Sequence, residues 1–113
     1  MNIGVIAAPS LRCPPESYGG MELMAWNLAK GLCELGHSVH LLARADSLTP
    51  VRGWLWGIEN ESQIASVVSD IEATGYSVEC WIDITHDKLL SLRRQDLPLI
   101  NMYQIMSMTG SGI

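Results

Sequence analysis

Residues 2–8 read Asn2-Ile3-Gly4-Val5-Ile6-Ala7-Ala8, a β-branched and nearly continuous apolar run. A strand of that composition needs cover on both faces, as in a parallel sheet held between two helical layers. Pro9 to Tyr18 then carries Pro9, Pro14 and Pro15 and reads as a long loop, since proline cannot sit in a helix interior. Gly19-Gly20 opens a helix in which Met21, Met24, Ala25, Leu28, Leu32 and Leu35 recur at helical spacing, with Asn27, Lys30 and Glu34 on the other side. Gly36 ends it as a C-terminal cap, and Ser38–Ala43 forms the second strand.

The same alternation continues. Val51–Trp56 reads as a short third strand at the sheet edge. Asn60 with Gln63 resembles a capping box, and Ile64, Val67, Val68 and Ile71 give the next amphipathic helix, capped by Gly75. Cys80–Thr85 is the fourth strand, Asp87–Arg94 a short helix, and Pro98–Ile105 a fifth strand. The pattern predicts a three-layer α/β/α, doubly wound parallel sheet in the order 3-2-1-4-5, with residues 1–113 as a single domain. In that order the carboxyl ends of strands 1 and 4 flank the crevice where such sheets bind ligands. Pro9–Gly20 and His86–Lys88 meet there.

Charge and composition narrow the function. The formal charge of −5 makes a poor partner for nucleic acid, which needs a basic face; Arg93-Arg94 is the only basic pair and reads as a solvated helix end. No apolar run is long enough to cross a bilayer, and no basic and apolar leader opens the chain. The expected location is cytoplasmic, with peripheral membrane contact as the alternative. Cys13, Cys33 and Cys80 are odd in number and lack metal-ligand spacing, so reduced thiols are expected, with no metal and no cofactor. Cys33 and Cys80 read as buried. A dinucleotide-dependent oxidoreductase shares the fold class. However, strand 1 is not followed by a tight G-x-G-x-x-G turn, and Asp46, the acid after strand 2, lies beyond Arg44.

Two glycines before a helix let backbone approach a phosphate, and free N–H groups with the helix dipole favour an anion. The wider context is more specific. Gly19-Gly20-Met21-Glu22, Leu28-Ala29-Lys30-Gly31-Leu32 and Gly36-His37-Ser38-Val39 resemble the G-G-x-E, L-A-x-x-L and G-H-x-V elements that open retaining GT-B glycosyltransferases of the family-four kind. The resemblance covers Met1 to Ala43 and resumes at Asp83-Ile84-Thr85-His86-Asp87, which is similar to the family's D-x-V-H-x-H segment.

The resemblance implies an N-terminal, acceptor-side domain. Its G-G loop, here Gly19 and Gly20, would give backbone amides to the diphosphate of a nucleotide-diphosphate sugar. His86, Lys88 and Gln104 become acceptor-pocket candidates, and His86 is the one catalytic candidate. A strand-end histidine bonded to backbone is the competing reading of His86. Lys88 stands where the family's second histidine would be, and in the following P-x-V-x-T-x-H strand Met102 and Gln104 replace threonine and histidine. A hydrated ammonium does not replace a neutral imidazole. The expectation is therefore a half-built site, inactive alone. It would need a C-terminal donor domain or a second subunit, and self-association is expected. A non-catalytic, nucleotide- or partner-binding remnant is the alternative. His37, Glu22 and the Trp54/Trp56 pair read as structural, although such an aromatic pair can also stack on a sugar.

Overall fold

In the computed structural model, which describes residues 1–7, 9, 12–14, 20–85 and 99–101 apart from the side chains of Met21, Ile100 and Asn101, the elements run β1 (Asn2–Ile6), α1 (Gly20–Glu34), β2 (Ser38–Arg44), β3 (Gly53–Ile58), a 3-10 turn (Glu61–Gln63), α2 (Ile64–Ala73), β4 (Cys80–Asp83) and β5 (Leu99–Asn101). All four strand pairings are parallel and the order is β3-β2-β1-β4-β5, as the sequence pattern predicts.

Strand periodicity divides the interior in two. On one face Ile3, Val5, Ala7, Val39, Leu41, Ala43, Ile82 and Ile84 pack against Ala25, Ala29 and Cys33 of α1. On the other, Ile6, Leu42, Ile58 and Trp81 pack against Ile64, Val68 and Ile71 of α2. The α/β/α layering follows, and it explains why the strands are mostly apolar on both faces. Gly4 belongs to the α2 face: a Cβ there would stand 2.1 Å from the Trp81 ring, so the indole lies flat across β1 only because no side chain is present.

The caps are those the sequence predicts. Asn60 accepts from the Ser62 N–H at 3.1 Å, and Gln63 Oε1 accepts from the Asn60 N–H at 3.3 Å. At the other helix's end, Gly36 has φ +92°, its N–H donates to the Cys33 carbonyl at 3.0 Å, and the His37 N–H donates to the Leu32 carbonyl at 3.0 Å. This paired arrangement satisfies two of the last carbonyls and needs a residue that tolerates the left-handed region.

Two details depart from the pattern. The buried stripe of α1 is Ala25, Ala29 and Cys33, whereas Met24 and Leu35 of the expected face are 40% and 75% exposed. Small side chains let the helix approach the sheet, and Trp26, Leu28 and Leu32 fill in beside it. Cys80, expected inside, is only half-buried, while Cys13 in the proline-bearing loop is fully buried.

Candidate functional site

The carboxyl ends of β1 and β4 are joined by the Ile84 N–H, which donates to the Ile6 carbonyl at 3.0 Å, and Ile6 pairs in register with Asp83. The first residue of α1, Gly20, is exposed. Among the described residues a Cβ on Gly20 would meet nothing within 4 Å, and its φ is not positive. Neither packing nor backbone strain therefore requires glycine there. The first N–H groups of α1 have no partner within the helix.

Two carboxylates are buried in this region. Glu22, in the first turn of α1, is 6% exposed and Asp83 is fully buried. Asp83 Oδ1 accepts from the Thr85 N–H at 2.9 Å and from the Thr85 hydroxyl. These two hydrogen bonds close the turn that follows β4. Glu22 stands in the electropositive first turn, which favours a carboxylate.

Cys13 ties the loop after β1 to two other elements. Its N–H donates to Ser47 Oγ at 2.8 Å, its carbonyl accepts from the Leu48 N–H at 2.9 Å, and its thiol lies 3.3 Å from the Glu22 carbonyl oxygen. Burial first, and then the Glu22 carboxylate, push the thiol up to about 12. Cys13 is a neutral structural thiol and no nucleophile. Beside it, Arg44 holds both Asp46 carboxylate oxygens at 2.7 Å, and Arg12 Nε donates to the Asp46 carbonyl at 3.3 Å. The guanidinium hydrogen bond keeps the Asp46 carboxyl below its usual range. Held in that fork, Asp46 already has a partner for both oxygens and is poorly placed to bind a ribose.

Of the residues named from the sequence, Gly20 and Asp83 come to the predicted end of the sheet. Gly19, His86, Lys88, Met102 and Gln104, the helix Asp87–Arg94 and most of the expected fifth strand lie outside the described residues. Among the described residues, no group of three or more His, Cys, Asp or Glu is placed to hold a metal, and no helix is long and apolar enough to cross a membrane.

The sequence reading passed over His40. It lies on the α2 face of β2, fully buried, stacked on Trp54 with centroids 4.4 Å apart and planes 10° from parallel. Tyr76 closes over it at 4.9 Å, and Trp56 Nε1 donates to His40 Nδ1 at 3.1 Å. The signal was present: His40, Trp54 and Trp56 all fall on one face once β2 and β3 are paired in register. The tryptophan pair is thus partly used in packing, as expected, with Trp54 still 36% exposed. This cluster sits towards the amino ends of β2 and β3, away from the start of α1.

No protein-family model and no curated protein sequence matches the chain. Among solved structures it is similar to AviGT4, a glycosyltransferase involved in avilamycin A biosynthesis, at 19% identity and a TM-score of 0.61 over 88% of this chain. The chain spans 31% of the length of AviGT4. What the two share is a fold: this chain has a Rossmann-like α/β architecture.

Proposed function

We propose that the chain is the acceptor-side N-terminal domain of a retaining glycosyltransferase, which moves a sugar from a nucleotide-diphosphate sugar to an acceptor. One observation carries the reading. The helix that the second glycine of the G-G-x-E sequence opens starts at an exposed Gly20, at the end of the sheet where parallel α/β folds bind ligands. Retaining transfer leaves a diphosphate, and amides fixed at a helix start stabilise that developing charge without reorganising. Gly19 and Gly20 would supply them, with His86, Lys88 and Gln104 on the acceptor side. A C-terminal donor domain or a second subunit would complete the site.

Calorimetry with pyrophosphate and a nucleoside diphosphate sugar tests this. A Gly20→Val side chain would meet nothing among the described residues, so the variant should fold, yet it would block approach of an anion to the backbone. Binding by the wild type and a loss of about tenfold or more in the variant are expected, a change of about 1.4 kcal/mol. Equal binding by a folded variant would exclude the anion role.

A second reading is a non-catalytic, nucleotide- or partner-binding remnant. Lys88, Met102 and Gln104, which stand in place of histidine, threonine and histidine, favour it. Glycosyl transfer by the chain together with its donor half, lost on changing His86, would decide against that reading.

A further inference from the structure

The β2–β3 connection, residues 45–52, holds no helix, although parallel neighbours are normally joined through one. As a result, among the described residues only the flank of α1 lies near the α1-side face of β3. A cleft of about 380 Å³ opens between them at the amino ends of β2 and β3, the opposite end from Gly20.

Its α1 wall is one helical strip, Trp26, Lys30, Cys33 and Glu34, spaced i, i+4, i+7 and i+8. The facing wall is Val51 and Arg52. The Arg52 carbonyl accepts from the Val39 N–H at 3.0 Å, which fixes this wall to the start of β2. Among the described residues Lys30, Glu34 and Arg52 form no ion pair. Val51 is 93% exposed, an unusual position for a β-branched side chain beside a half-buried indole.

The combination is selective. Trp26 and Val51 offer an apolar surface to a ring, and a cleft of this size suits a small molecule. Lys30 and Arg52 add two positive charges against the one negative charge of Glu34, on a chain of net charge −5. The guanidinium fork matches phosphate oxygens. Glu34 can accept from ring hydroxyl or amino groups.

We propose that this cleft binds a small phosphate monoester carrying a ring, with the ring against Trp26 and Val51 and the phosphate held by Lys30 and Arg52. The site is separate from the start of α1 and does not depend on the chain being a transferase.

The test uses the ¹⁵N-labelled chain and follows the Trp26 indole N–H and the Arg52 and Gly20 amides. The probes are ribose 5-phosphate, adenosine 5′-monophosphate, ribose and inorganic phosphate. Saturable shifts at Trp26 and Arg52 with either ester are expected, and the preferred ester shows whether the ring is a sugar or a base. Lys30→Ala and Arg52→Ala, both at exposed positions, should each weaken binding by about tenfold while leaving the rest of the spectrum unchanged. Three results would overturn the proposal: no shift at Trp26 with ester concentrations on the order of 10 mM, inorganic phosphate or ribose binding as well as the esters, or shifts confined to Gly20.

Discussion

Trp56 Nε1 donates to His40 Nδ1 at 3.1 Å, so a neutral His40 carries its proton on Nε2. That second nitrogen is buried and finds no partner among the described residues. Burial holds the pKa of His40 below its ordinary value of 6.5. A protonated ring would lose the acceptor that Trp56 uses and bring an uncompensated charge inside.

The first prediction follows from that sign. Above pH 6.5 both the folded and unfolded states keep the ring neutral, and its contribution is fully present. As pH falls below 6.5 the unfolded chain takes up a proton that the fold refuses, so stability declines towards the depressed folded pKa. One proton contributes at most about 1.4 kcal/mol per pH unit. Urea unfolding of wild type and His40→Phe from pH 8 to 5 should show a steeper loss in the wild type; parallel curves would refute it.

Gly4→Ala tests the ring contact across β1. The new methyl would overlap Trp81, and shifting a buried indole costs on the order of 3 kcal/mol. Trp81→Leu should be less harmful in the Gly4→Ala background than in wild type. Additive effects in a double-mutant cycle would show that the contact is not the cause.

Two glycines at opposite ends of α1 should behave differently. Gly36→Ala places a side chain at φ +92° and should cost about 1 kcal/mol, seen as a fall in Tm of about 4 °C. Gly20→Ala has a permissive backbone and meets nothing among the described residues, and should leave Tm unchanged or slightly higher. Equal losses would contradict the cap geometry.

Asp83→Ala should destabilise the chain by about 2 kcal/mol, because the N–H and hydroxyl of buried Thr85 would lose their acceptor. The companion Asp83→Asn keeps an acceptor oxygen and should recover part of the loss. Thermal denaturation of both variants measures this, and identical losses would argue against the hydrogen bonds as the source.

The sheet order was legible because strand composition and connection lengths act over whole segments. Val5 and Leu41 needed cover on both sides wherever their neighbours fell. The packing face of α1 was harder to read. Spacing alone put Met24 and Leu35 with the core, but contact distance to the sheet selected Ala25, Ala29 and Cys33. His40 was missed for a related reason: its meaning lies in Trp54 and Trp56, which reach it only through strand register. At the candidate site, the start of α1 at Gly20 was visible as a motif. Buried Cys13 was not, because its partners Ser47 and Leu48 are distant in sequence.

That three-way attachment of Cys13 has a structural consequence. It splices the loop leaving β1 to the first turn of α1 on one side and to the β2–β3 connection on the other. The start of α1 and the connection to the edge strand are therefore linked through Cys13 by a path of hydrogen bonds that does not pass through the sheet. One end of residues 45–52 thus stands by the crevice and the other lines the cleft, so a single short connection borders both.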